Sequence, residues 1–416
     1  MTRHIAIIGC GPAGIYTAER LGRVAKDDRI DVIDRLPAPF GLVRYGVAPD
    51  HQSTKAIART LARALTRDNV GFIGNVEIGK QISLAEVRAH YDAVVLATGA
   101  PLDRRLGIPG EDLPGVQGSI RFVGWYNAHP DHADLAPDLA GVAEVVVIGA
   151  GNVALDVARV IAKTEAELAS ADLDPEALGR LAAMPLKRIT IAARRGLDAV
   201  KFTPIELEEM GNLAQARPVV DPADLPPPPT EGAEDKVTAL LRGFAAVPAD
   251  DPRPVEIRFA FNLTPAAFEG EDRLEAVRFD GPDGPVTLPA QLAVSCIGYN
   301  SIPCDDRAPE RGCFANEDGR IEDGLYVVGW AKRGPSGTIP TNRKEAHEIA
   351  DRLVAEIADN GRDGADGLLA LLDARGVRPV AMSDWERIDA AEMARAIGTR
   401  PRHKFGSVAE MLAALD

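Results

Sequence analysis

A short apolar strand, a glycine-rich turn and a helix follow one another twice in this chain, about 140 residues apart. In the first copy His4-Ile-Ala-Ile-Ile8 runs into Gly9-Cys-Gly-Pro-Ala-Gly14 and a helical stretch from Ile15 to about Val24. A second strand, Ile30–Ile33, then ends at Asp34. In the second copy Val145–Ile148 meets Gly149-Ala-Gly-Asn-Val-Ala154, a helix to about Lys163 and later the strand Arg188–Ala192. Both read as the opening of a βαβ unit. In such a unit Gly9 or Gly149 makes the tight turn, and Gly11 or Gly151 lets a pyrophosphate approach the backbone. Gly14, or Ala154 in its place, lets helix and strand pack. The helix N-terminus offers free N–H groups and its positive dipole end to the phosphates. The pattern predicts an α/β chain with two dinucleotide-binding, Rossmann-like domains.

The two ribose positions differ. Asp34, at the end of the second strand, can accept hydrogen bonds from a ribose diol. The corresponding place in the second unit holds Arg194-Arg195. A carboxylate there would repel a 2′-phosphate, whereas paired guanidiniums bind it through charge-assisted hydrogen bonds. NADP(H) rather than NAD(H) is the expected ligand. The first fingerprint alone fits NAD as well as FAD. Two nicotinamides would need direct pyridine-to-pyridine transfer, while a flavin accepts a hydride and releases single electrons, so FAD is expected there.

Composition narrows the class further. Hydrophobic residues make up 46% of the 416 and charged residues 26%, enough apolar material for a folded core. The formal charge of −15 lacks the basic footprint of a nucleic-acid scaffold. Cys10, Cys296, Cys304 and Cys313 form no C-x-x-C pair, which argues against a zinc ribbon and against a dithiol flavoenzyme. An F-x-G-x-x-x-H monooxygenase motif between the units is also missing. No apolar run reaches the length of a membrane span, and Gly9 and Gly11 break the apolar start too early for a signal peptide. A soluble, cytoplasmic chain is expected.

Elsewhere, a basic helix is expected from about Ser53 to Thr66 and buried strands near Gly71–Val76 and Tyr91–Gly99. Pro218–Pro229 reads as an exposed connection. Arg253–Ala260 and Leu274–Phe279 read as strands of an antiparallel or mixed layer. Leu325–Val328 reads as a strand, followed by a loop and a helix from about Arg343 to Ala358. Helices are expected from Leu368 onward.

Several long, irregular motifs resemble the adrenodoxin reductase family, especially its bacterial ferredoxin–NADP reductases. They include Phe40-Gly-Leu-Val-Arg-Tyr-Gly-Val-Ala-Pro-Asp-His51, Ile108-Pro-Gly-Glu-Asp-Leu-Pro-Gly115, Phe122-Val-Gly-Trp-Tyr-Asn127, Gly149–Asp156, Ala193–Gly196 and Val328-Gly-Trp-Ala-Lys-Arg-Gly-Pro-Ser-Gly-Thr-Ile339. The resemblance implies an FAD domain from residues 1–103 and 325–416, with an NADP domain, 104–324, inserted between. It implies FAD against Ala13, Asp34, Leu42, the stretch near Val76, Trp330, Gly337, Thr338 and Ile339. It implies NADP(H) against Arg104, Ala150, Gly151, Asn152, Val153, Arg194, Arg195, Glu206 and Gly337. The implied activity carries electrons from NADPH through FAD to a ferredoxin, often onward to a cytochrome P450; a diaphorase or an electron-transfer subunit serving another acceptor is the alternative. His51, beside the Gly41–Tyr45 loop, is the expected proton relay, and Glu206 is expected to hold the nicotinamide carboxamide or pass a proton. Lys201, Lys236, Arg242, Lys332 and Arg333 are candidates for a positive docking patch.

Overall fold

A computed structural model describes residues 2–229 and 231–416. It contains two six-stranded sheets. The first runs, in spatial order, Arg320–Glu322, Leu325–Val327, Ala93–Leu96, His4–Ile8, Arg29–Ile33 and Val70–Ile73. All its pairings are parallel except that of Arg320–Glu322 with Leu325–Val327. Its central strands are continuous β-branched runs because helices cover both faces, so alternation is absent. Arg320–Glu322 belongs to this sheet, so the chain has already crossed back before residue 325.

The second sheet runs Val116–Gly118, Leu292–Ser295, Glu144–Ile148, Arg188–Ala192, Val255–Ala260 and Ala216–Val220, and is parallel throughout. The strand expected at Arg253–Ala260 is therefore not part of an antiparallel or mixed layer. Its alternating burial comes from lying next to the sheet edge rather than from an antiparallel hairpin. The edge strand itself contains Pro218, which shortens the expected exposed connection at its start; edge positions tolerate proline. Leu274–Phe279 does lead into an antiparallel ribbon, formed by Thr264–Glu269, Ala276–Gly281 and Gly284–Pro289. Phe268, Val277 and Phe279 pack that ribbon onto Val146 and Ile148 of the second sheet. Leu102–Asp103 pairs antiparallel with Tyr299–Asn300 near the two crossings between the sheets.

Two helices differ from expectation. The stretch Ser53–Thr66 divides into Gln52–Lys55 and Ile57–Leu65. At the break Lys55 turns inward and donates to the Arg44 carbonyl, Asn127 and Asp172. The long helix begins at Ile339, four residues before Arg343, with Thr338 as its N-cap. No helix of the described residues is long and apolar enough to cross a membrane.

Lys55 belongs to a buried network that draws on three separated stretches of chain, 44–55, 172 and 392–404. Arg44 pairs with Glu392 at 2.5 Å, and its guanidinium lies over the rings of Tyr45 and Trp385. Asp172 receives Lys55 at 3.1 Å and Lys404 at 2.9 Å. Three cations thus share two carboxylates in the interior. Burial, together with repulsion from Lys404 and Arg44 on Lys55 and from Arg44 on Lys404, pushes both lysines below their ordinary range. Burial opposes ionisation of Asp172, yet Lys404 and Lys55 hold its carboxyl down at about 2. A folded-state value below the unfolded one, about 3.9, contributes stability above that pH and loses it as pH falls through 2. Asp172→Asn is expected to cost about 3 kcal/mol at neutral pH by leaving buried lysines without their counter-charge. It should also flatten the dependence of stability between pH 4 and 2, read from thermal midpoints across that range.

Candidate dinucleotide sites and the cluster between them

Both glycine turns are built the same way at their first two positions. At Gly9 (φ +112°) a Cβ would lie 2.4 Å from the Ala97 carbonyl oxygen; at Gly149 (φ +150°) it would lie 2.6 Å from that of Cys296. Each turn is thereby pressed against the end of the neighbouring strand, where only glycine fits. The second glycines are different. A Cβ on Gly11 or Gly151 would meet no protein atom within 4 Å, so both face open space at a helix start. Neither helix has a side-chain N-cap, which leaves its first N–H groups free for an anion. Buried hydroxyls without a partner stand beside each turn, Thr98 Oγ1 next to the first and Ser295 Oγ next to the second. Open space, free donors and unpartnered hydroxyls together fit a bound dinucleotide in each unit.

Third positions distinguish the units. A Cβ on Gly14 would sit 2.0 Å from the Gly9 carbonyl oxygen, whereas the second unit accommodates the methyl of Ala154 in full burial. Around the first turn, Asp34 accepts from the Cys10 N–H at 2.6 Å and the Leu36 N–H at 2.9 Å. Burial raises its carboxyl above the usual range, and those two N–H donors work against that rise. Val76 is buried and its N–H donates to the Asp34 carbonyl. Gly41 passes 3.1 Å from Gly11 when given a Cβ, which sets the exposed Leu42 beside the turn. The C-terminal return reaches the same place: a Cβ on Gly329 (φ +72°) would come within 2.6 Å of the Ala13 Cβ. Trp330 follows, its indole N–H donating to the Ser336 carbonyl and its ring tilted over Tyr299 at 5.8 Å. Gly337 (φ +79°) leads into the Thr338 N-cap and Ile339.

In the second unit Asn152 is engaged by its own fold. Its side chain accepts from the Thr203 N–H at 2.8 Å and donates to the Thr203 hydroxyl at 3.2 Å, tying the 201–203 loop to the turn. Ala150 accepts from the Lys201 N–H, while Val153 packs on the core. Arg194 and Arg195 are exposed at the strand end, and among the described residues neither forms an ion pair with a carboxylate. Arg104 is likewise exposed. The docking candidates fare less well. Arg242 is paired with Glu234, whereas Lys332 and Arg333 share the single Glu345 and so keep one net positive charge between them.

His51 and Glu206, singled out for separate reasons, lie together. His51 Nε2 is 3.0 Å from Glu209 Oε2 and 3.6 Å from Glu206 Oε2, and its Nδ1 is 4.0 Å from Asp156 Oδ1. Arg159, wholly buried, stands in the middle of these acids. Burial and the neighbouring Asp156 raise the Glu206 carboxyl; burial raises that of Asp156 against the pull of Arg159. Sequence reasoning missed Asp50, Asp156, Arg159 and Glu209. An arginine three residues after an acid on an otherwise apolar helix was the one available signal.

Two Rossmann-like units and an acid–histidine cluster between them define a pyridine-nucleotide oxidoreductase. The chain matches the pyridine nucleotide-disulphide oxidoreductase family over residues 3–196. It is 38% identical to human mitochondrial NADPH:adrenodoxin oxidoreductase, covering 99% of this chain and 91% of that protein. Identity to the NADPH-ferredoxin reductase FprA of Mycobacterium tuberculosis is 39%, over 98% of each. The solved structure of FprA in complex with NADPH superimposes with a TM-score of 0.93 over the whole of both chains, at 37% identity. The chain belongs to the adrenodoxin reductase family.

The contrast between second and third glycines is directly testable. Gly14→Ala should lower the stability of the protein by about 1–3 kcal/mol by forcing helix and strand apart. Gly11→Ala meets no protein atom and should change the stability of the flavin-free protein by less than about 0.5 kcal/mol while depleting bound flavin. Thermal unfolding and the flavin-to-protein absorbance ratio read the two effects separately.

Proposed function

We propose that this protein is a ferredoxin–NADP(+) reductase of adrenodoxin reductase type, taking electrons from NADPH through FAD to a ferredoxin-type iron–sulfur protein. The observation that carries this reading is the asymmetry of the ribose positions. Asp34, held by two backbone N–H donors, suits an unphosphorylated ribose; the unpaired Arg194 and Arg195 suit a 2′-phosphate. In this reading the FAD domain is built from both chain ends and the NADP domain from the stretch after residue 103, the return falling before Arg320 rather than at the expected 325. FAD, when bound, supplies the conversion of a hydride into two single electrons.

The chain's own residues have three tasks. The helix starting at Pro12 and the loop through Trp330, Gly337, Thr338 and Ile339 hold the flavin nucleotide, with Ala13, Leu42 and Val76 around it. The turn from Gly149 to Val153, with Arg104, Arg194 and Arg195, binds and orients the coenzyme. His51 hydrogen-bonds Glu209 Oε2 at 3.0 Å and stands 3.6 Å from Glu206 Oε2, so the imidazole and the two acids together hold a proton in a partly buried cluster. The docking surface for an acidic ferredoxin draws on Lys201, Lys236 and the net positive charge of Lys332 and Arg333 beside Glu345, with Arg242 offset by Glu234. A cytochrome P450 as terminal acceptor is the further step of the reading. We also infer a cytoplasmic location, supported by four cysteines that are all free.

Anaerobic titration of the purified yellow protein tests the reading: NADPH should bleach the flavin band at far lower concentration than NADH. A colourless protein, or equal bleaching by both, would sink it. The double variant R194A/R195A should lose about ten- to a hundredfold of the preference for NADPH, corresponding to charge-assisted bonds to one phosphate. Selectivity is measured as the ratio of reduction rates with the two coenzymes.

A further inference from the structure

We infer that Arg159 is the positioning residue of the proton-handling pair His51 and Glu206, a role that rests on the function proposed above. Its contacts reach both sides of the cluster. Toward the segment that carries His51, the guanidinium forms a fork on Asp50, Nε to Oδ2 at 2.9 Å and Nη2 to Oδ1 at 3.1 Å. Asp50 immediately precedes His51, so this fork fixes the imidazole through the backbone. Toward the coenzyme-binding unit, Nη1 donates to Asp156 Oδ1 at 2.7 Å and lies 3.4 Å from Glu206 Oε2. Nε is also 3.2 Å from Glu209 Oε2. Every carboxylate that approaches His51 therefore also touches Arg159.

The side chain comes from the helix Asn152–Ala162, whose first turn is the second glycine turn. One rigid element thus carries the coenzyme turn at its start and the fork on Asp50 near its end. The remaining groups around the cluster are Lys163, which pairs with Asp50 at 2.7 Å, and Tyr126, whose wholly buried hydroxyl has no partner and is influenced by Asp156 and Asp50. Four carboxylates against Arg159, Lys163 and one imidazole leave an excess of negative charge. Burial works against the charge of Arg159, yet the surrounding acids, Asp50 first, keep it firmly protonated. The same cation opposes the burial-driven rise of Glu206 and Asp156. Arg159 therefore does two separable things: it sets the charge that the acids feel, and it sets their geometry relative to His51.

Two variants separate these contributions. Arg159→Met removes the charge, and the titration midpoint of the Glu206 carboxylate, followed by carbon NMR of the labelled holoenzyme, should move up by at least about one pH unit. Arg159→Lys restores the charge but cannot fork Asp50 while also bridging Asp156. It should return that midpoint toward wild type while flavin reduction by NADPH stays about tenfold to a hundredfold slow. The rate at saturating coenzyme, rather than the concentration for half-maximal rate, carries this comparison, because Arg159 lies against Glu206, itself placed at the coenzyme. An unmoved Glu206 midpoint in Arg159→Met, or a wild-type rate in Arg159→Lys, would overturn the assignment. If Arg159→Met does not fold, the Arg159→Lys rate decides alone. Should wild-type flavin fail to bleach with NADPH, the proposed function falls, while the carboxylate titration still reads what Arg159 does.

Discussion

The whole arrangement depends on a salt-bridged interior between the two sheets. Arg44, Lys55, Asp172, Glu392 and Lys404 come from three stretches of chain and meet in the interior. Such a cluster is poor evidence of added stability, because removing charges from water costs about as much as their attraction returns. Its value is directional. Each ion must find its counter-ion in one arrangement, and any relative displacement of the sheets leaves a charge alone in the interior. The paired strands Leu102–Asp103 and Tyr299–Asn300 alone would make a thin connection. With the network in place, the two glycine turns keep a fixed relation, which a transfer between two bound rings requires.

On that frame one backbone device serves two chemistries. The first glycine of each turn is jammed against a strand end and the second opens onto space, so phosphate binding follows from backbone geometry alone. Selectivity is added at the ends of the second strands by a few side chains. Asp34 is saturated on one side by backbone donors and keeps lone pairs for a diol; Arg194 and Arg195 remain without carboxylate partners. The cluster around Arg159 lies between and belongs to both units, with Asp50 and His51 from one and Asp156, Glu206 and Glu209 from the other.

The features legible in the sequence are those whose causes are local. Glycine turns, β-branched runs and the contrast of Asp34 with Arg194-Arg195 depend on neighbours within a few residues. Those that escaped depend on distant partners. The helix beginning near Ser53 breaks because Lys55 is claimed by Asp172, more than a hundred residues away. Arg242, Lys332 and Arg333 look like free surface cations until Glu234 and Glu345 are seen beside them. Val255–Ala260 looked antiparallel because its edge partner, interrupted by Pro218, did not read as a strand. His51 and Glu206 were each recognisable, but nothing local predicts that they meet, and Arg159 shows only as an arginine on an apolar helix.

The interior network has a consequence for how the molecule is made. Glu392 and Lys404 lie near the carboxyl end, whereas Lys55 and Asp172 are synthesised far earlier. While the chain emerges from the ribosome, Arg44 and Lys55 wait without their full complement of counter-ions. The inserted unit can collapse on its own, but the amino-terminal unit completes its core only after the last stretch is released, because Val380, Trp385, Ile388, Phe405 and Met411 pack within it. Damage to the tail therefore harms the folding of the amino-terminal unit itself as well as its docking on the other.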